Sequence, residues 1–236
     1  MRIEIDFQSL KDLSDIEKGK ELIKILSSNG LVIEKIGSCE PIRDLISLNK
    51  FIAIWNGEHL EGGFSECYFL FRGRSRFKFT GMAIWRKGLS STSQAVNGLT
   101  IWLNVTNKID YKVLIDLGDE LFRWSGAEYG YIAEELKDQK FQDAGNIYDY
   151  ITNLRWVNYF GQSYINEPDF HIPEKGTRVY HGVRVTLAET PIDEILGDRD
   201  YVDSIKKVIG NEWFWDYPQK NKRRKPIFDR TAITKQ

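Results

Sequence analysis

Three neighbouring segments, "ECYFLFR" (66–72), "RFKFTGMAIW" (76–85) and "GLTIWLNV" (98–105), alternate apolar and polar side chains, with turn-prone or polar residues between them. A period of two is what a strand with one buried face requires, so this part of the chain is committed to an antiparallel meander. Phe77, Phe79, Gly81, Ala83 and Trp85 share one side, and Leu99, Ile101, Leu103 and Val105 share another, so the two sets suit one core. "RIEIDF" (2–7) repeats the pattern with Ile3, Ile5 and Phe7 and predicts a further strand at the start. "LVIEKIG" and "FIAIWNG" are short apolar runs closed by glycine, and they are assigned to the same strand-rich block, residues 31–105.

Elsewhere the period lengthens. In "SDIEKGKELIKILSSNG", Ile16, Leu22, Ile23 and Leu26 share a helical face, Ser14 with Glu17 forms a capping box, and Gly30 stops the helix. "DYKVLIDLGDELFRWSG" places Leu114, Leu117, Leu121 and Trp124 at three- and four-residue steps before Gly126, which predicts a second helix. "AEYGYIAEE" reads as a strand leading into a helical turn, whereas "NIYDYITNLRWVNYFGQSYI" fits helix and strand equally. "RVYHGVRVTLA" reads as one strand with Val179, His181, Val183, Val185 and Leu187 on one side, and "DRDYVDSIKKVIG" as a late helix capped at Asp198 or Asp200.

At 236 residues with 42% hydrophobic content, the chain can bury a sizeable core. The expected architecture is one α+β domain over residues 1–219, an antiparallel sheet with helices packed on one side. Two lobes, 1–105 and 147–219, joined through a helical segment, are compatible with the pattern.

The formal net charge of −1 hides an asymmetry. Residues 220–236 hold seven Lys/Arg against one acid, Asp229, a charge of +6 that leaves about −7 on residues 1–219. That tail is polar enough to be expected mobile. An acidic body disfavours phosphate backbones and attracts basic proteins. No apolar run approaches the roughly 20 residues of a membrane span, and the N-terminus lacks a signal peptide's apolar centre, so no membrane partner and a cytoplasmic location are expected. Cys39 and Cys67, without paired metal-ligand spacing, read as reduced thiols.

No catalytic constellation stands out. A serine or cysteine nucleophile needs a base, and the histidines are His59 in a polar loop, His171, and His181 on an alternating strand face where a structural role is expected. No Gly-rich phosphate loop has the strand-loop-helix context it needs. Asp193, Glu194, Asp198, Asp200 and Asp203 crowd together without the glycine and terminal glutamate of a calcium loop, and read as helix caps and solvated acids. The adjacent Glu134 and Glu135 lack the burial an acid-base pair requires on a polar segment. The expectation is a chain without catalytic residues, metal or cofactor.

Two binding features remain. In "FLFRGRSRFKF" (69–79), Arg72, Arg74, Arg76 and Lys78 sit at every second position, but Gly73 and Ser75 mark a turn. The cations then crowd a hairpin tip, where they blunt a sheet edge; as an alternative they contact nucleic acid together with the tail. Segments mixing rings with acids, "EYGYI" foremost, have the composition of protein interfaces. Glu128, Tyr129, Tyr131, Glu134 and Glu135 are chosen as partner contacts on that ground.

Two separated stretches carry a resemblance. "IEKIGSCEPIRDLISLNKFIAIWNG" followed by "FKFTGMAIWRKG" contains Gly37, Glu40, Pro41, Ile42, Trp55, Gly81 and Trp85; "LRWVNYFGQSYI" followed by "GVRVTL" contains Trp156, Asn158, Tyr159, Gly161 and Gly182. Together they resemble the bacterial immunity proteins of polymorphic-toxin and type VI secretion systems, from which the chain departs in its long "KGLSSTSQAVNG" connection and basic tail. The resemblance implies a non-enzymatic α+β protein of the cytoplasm that binds and neutralises a cognate protein toxin, with these positions as structural residues.

Overall fold

The computed structural model describes residues 1–74, 76–106, 109–135 and 147–235. The chain is α+β, built on one antiparallel sheet. The predicted first strand, β1 (Arg2–Ser9), is followed by helix α1 (Ile16–Ser28), then β2 (Ile33–Gly37) and the two-residue β3 (Asp44–Leu45). Asp15, not Ser14, caps α1 by accepting from the Glu17 amide, while Ser14 donates its hydroxyl to Asp12. "FIAIWNG" is not a strand. It lies in helix α2 (Leu48–Trp55), where Ser47 accepts from the Lys50 amide as N-cap and the four-residue spacing of Phe51 and Trp55 puts both inside.

Next come β4 (Glu58–Leu60), β5 (Phe64–Arg74), β6 (Lys78–Lys87) and β7 (Asn97–Asn104), then helix α3 (Lys112–Ser125), which Gly126 ends in the left-handed conformation at φ 57°. "EYGYI" lies in β8 (Tyr129–Glu134). The ambiguous aromatic segment resolves into β9 (Val157–Phe160) and the short helix α4 (Gln162–Ile165). "RVYHGVRVTLA" is two strands, β10 (Gly176–Val179) and β11 (Gly182–Thr186), turned over Tyr180, whose φ is 47°, and His181. The last helix, α5 (Arg199–Ile209), is capped by Asp198, which accepts from the amides of Asp200 and Tyr201.

The strand order is β10-β11-β9-β8-β1-β7-β6-β5-β2-β3, with β4 beside β5. β1 therefore sits between β7 and β8, and the segments proposed as two lobes share one continuous sheet. Register sets the inner face in rows: Phe7, Leu99, Ala83 and Phe69 in one, Ile5, Ile101, Gly81 and Phe71 in the next. Helices α1, α2 and α3 cover these rows to form the first core. Gly81 is required there, because a Cβ would fall 2.4 Å from the Phe71 ring.

The second core lies on the opposite face, over β8, β9 and β11. Tyr129, Tyr131, Phe160, Val183 and Val185 pack there with Tyr164 of α4, Val202 and Ile209 of α5, Trp213 and Phe214. Helices thus occupy both faces of the sheet, each over a different part.

The basic tail is docked rather than free. Ile233 is fully buried in the second core, and the Leu89 and Lys235 amides donate to Ile233 O and Leu89 O, both at 2.8 Å. Several of its cations are occupied within the fold: Arg224 pairs with Asp169, Arg223 lies 4.8 Å over the Trp215 ring, and Arg230 donates to Ser91 O. Ile233→Asp is expected to cost about 2 kcal/mol or more. Limited trypsin digestion would then cut first at Arg223–Lys225; an unchanged cleavage pattern would show that the tail is not held by this anchor.

Candidate sheet-face interface

Past β1, the outer face of the sheet loses its cover. The second core lies over β8, β9 and β11 and meets β5 only at its first residue, Phe64, so β7, β6, β5 and β2 present outward side chains on a face where none of their residues named below is buried. Register again places these residues in rows: Arg2, Asn104, Lys78 and Arg74; then Glu4, Trp102, Thr80, Arg72 and Lys35; then Asp6, Thr100, Met82 and Leu70. Arg72, Arg74 and Lys78 are exposed, while Lys35, Leu70, Thr80, Met82 and Trp102 are half-buried.

Charge is unevenly spread across this face. On its β1 side the polar groups are satisfied: Thr100 Oγ1 donates to Asp6 Oδ1 at 2.7 Å, Gln8 Nε2 to Asp6 Oδ2 at 3.3 Å, and the Tyr131 hydroxyl to Glu4 Oε1 at 3.0 Å. Arg2 pairs with Glu135 at 2.7 Å and lies over the Trp102 ring. Burial pushes the Asp6 carboxyl up to about 6, against the hydrogen bonds from Thr100 and Gln8, and Glu4 nearby pushes in the same direction. Burial likewise raises the Tyr129 hydroxyl to about 12 and the Tyr131 hydroxyl further.

At the β5–β2 end, Lys35, Arg72, Arg74 and Lys78 have no ion-pair partner among the described residues. Arg74 and Lys78 are directly opposed across the hairpin, and Arg72 faces Lys35. Like charges held side by side repel unless an anion lies over them. Arg76 does not join them: it follows the turn, whose Ser75 lies outside the described residues, and its guanidinium rests 5.5 Å over the Phe77 ring.

Three of the five residues expected at a partner interface are interior. Glu128, Tyr129 and Tyr131 are only 8%, 4% and 5% exposed, because β8 lies between β1 and β9 with a core on each side. Glu128 accepts from the Ser163 amide at 3.0 Å. Glu134 and Glu135, at the strand's end, are half-buried. The sequence reading missed Trp102, although the alternation of "GLTIWLNV" puts Leu99, Ile101 and Leu103 inside and so turns that ring outward.

Of the positions that carried the family resemblance, Glu40 and Pro41 are exposed, whereas Trp55, Gly81, Trp85, Trp156, Asn158, Tyr159, Gly161 and Gly182 are buried. Glu40 accepts from the Ile42 amide ahead of Pro41, and Trp85 donates to Trp55 O, which in turn donates through Nε1 to Asp15 O. Trp156 donates to Ala188 O, Asn158 bridges both backbone groups of Arg155, and the Tyr159 hydroxyl donates to Asp119 at 3.0 Å. A Cβ on Gly161 would lie 2.5 Å from Ala127 O, and one on Gly182 2.2 Å from Phe160 O.

Among the described residues, the histidines His59 and His181 lie apart from one another and from the acids of the α5 end. His59 meets Ser65 at 2.6 Å on the exposed β4–β5 hairpin, and His181 stacks on Phe122 at 4.2 Å while its Nε2 lies 2.9 Å from Ala127 O. The open groove bounded by Asp203, Asn211 and Asp216 has its acids facing Lys206, whose Nζ is 2.7 Å from Asp216. Among the described residues no group of three metal-ligating side chains forms, and no helix is long and apolar enough to cross a membrane.

No family model matches the sequence. No curated protein matches it either. Among solved structures, the fold is similar to one titled Pseudomonas aeruginosa T6SS protein PA0821, at 10% identity and a TM-score of 0.50, over 98% of this chain and 79% of that one.

Proposed function

We propose that this chain is an immunity-type protein, which binds a cognate bacterial toxin and neutralises it by contact, without catalysis of its own. The observation that carries this reading is the bare half of the sheet. A face presenting Trp102, Tyr68, Met82 and arginines, in a fold that packs a core on each side of β8 and β9, has the make-up of a protein contact surface. The resemblance of two sequence stretches to immunity proteins supports it, as does a fold shared along nearly the whole chain with a type VI secretion protein.

Nucleic acid is the weaker reading, because Arg223, Arg224 and Arg230, which a flexible basic arm would use, are engaged within the fold. Of the products of the genes flanking its own, one is expected to abolish growth when expressed alone, and expression of the chain with it is expected to restore growth. Equal killing with and without the chain, at matched toxin levels, would sink the proposal.

A further inference from the structure

We infer that the partner docks on the outer face of β2, β5, β6 and β7, and that the surface it brings to the hairpin end carries carboxylates. The inference rests on the toxin-binding reading and adds the place and the chemistry of contact. Several cations on the sheet and its borders have an acid against them: Arg2 with Glu135, Lys50 with Asp44, Arg86 with Glu66, Lys87 with Asp12, Arg184 with Asp119. Lys35, Arg72, Arg74 and Lys78 break that pattern. They form two cross-strand pairs on three strands, with no ion-pair partner among the described residues, beside the half-buried Thr80 and Trp102.

Net charge therefore misleads about steering. The acids that make residues 1–219 negative are spread over the chain, whereas these four cations are gathered on neighbouring strands, and local charge is what a partner meets at contact distance. A carboxylate surface relieves the repulsion among the four cations, and the adjacent Trp102, Met82 and Leu70 supply the apolar area that gives such a contact its lifetime. A protein fits this face better than a phosphate chain does. Arg2 already lies over the Trp102 ring, which leaves that ring less free to stack a base.

The test uses the full chain and the neighbouring toxin domain, with affinity measured by titration calorimetry. Arg72→Glu, Arg74→Glu and Lys78→Glu combined are expected to weaken binding by about a hundredfold or more, since like charges then face each other. All three side chains are exposed, so the variant should melt like the parent. Lys24→Glu with Arg178→Glu, exposed cations on α1 and on the far edge strand, should bind as the parent does. Arg74→Ala alone, which cannot harm folding through repulsion, should lose about tenfold.

A triple variant that holds the toxin as tightly as the parent would overturn the face while the toxin reading stands. A parent chain that holds no toxin removes the toxin reading and this inference with it. Parent-specific retention of a single-stranded RNA 20-mer, lost in the triple variant, would assign the cluster to nucleic acid and overturn the carboxylate partner. Self-association abolished by the triple variant would make the occupant a second copy and overturn it equally.

Discussion

Trp55→Ala is expected to destabilise the protein by about 3–5 kcal/mol, read as a fall in the urea midpoint without a change in slope. Trp55 is 1% exposed and fills the space where α1, α2 and β5 meet, with the Phe69 ring 5.5 Å away. Its indole donates to Asp15 O at 3.1 Å, the residue that caps α1, and its own carbonyl accepts from Trp85 at 2.9 Å. Truncation opens a cavity under two helices and leaves the Asp15 carbonyl without that donor. Trp55→Phe keeps most of the volume and should recover all but about 1–2 kcal/mol, chiefly the lost hydrogen bond. Because α2 covers the inner face, toxin binding by Trp55→Phe should match the parent. A loss under about 1 kcal/mol for alanine would show that the α1–α2 junction does not depend on this ring.

The meander was legible because alternation is a local property. Each of β5, β6 and β7 shows its buried side within one segment, and the register that aligns Phe71 with Gly81 and Ile101 follows from matching those sides. α2 was not legible, since a five-residue apolar run has no period to read; only Ser47, four residues before Phe51, marked a helix start. The Tyr180–His181 turn lacks the Asn-Gly or Asp-Gly that announces a two-residue hairpin, so β10 and β11 read as one strand.

Burial of β8 could not be deduced at all. Its acids and tyrosines have an interface composition, and only the strand order, which places β1 on one side of it and β9 on the other, turns Tyr129 and Tyr131 inward. The tail illustrates the converse. Seven cations dominate its composition, yet one isoleucine and a pair of backbone hydrogen bonds decide where it lies. The docking face has the same origin: the outward residues of four strands become one surface only once register sets Lys35 beside Arg72 and Arg74 beside Lys78.

Asp6→Asn is expected to stabilise the protein at neutral pH and not at low pH. In the folded chain the Asp6 carboxyl titrates at about 6, against an ordinary value of 3.8, because burial strips its water. The folded state therefore keeps this proton over a range where the unfolded chain has released it, so stability falls as pH rises from about 4 to 6 and stays reduced above that. The full penalty amounts to as much as about 3 kcal/mol, at 1.4 kcal/mol for each unit. Asparagine avoids the charge and can still accept from Thr100, but its amide opposes the Gln8 amide, which is fixed by the Ile147 amide donating to Gln8 Oε1. That conflict takes back about 1 kcal/mol, leaving a net gain of about 1–2 kcal/mol at pH 7.5. Glu4, Tyr129, Tyr131 and Arg155 also face this site, so neither protein's own pH curve isolates Asp6. The difference between the two does: urea unfolding at pH 7.5 should favour the variant, and at pH 4.5 the advantage should vanish or reverse. A difference that does not change with pH would place the Asp6 proton back in the ordinary carboxylate range.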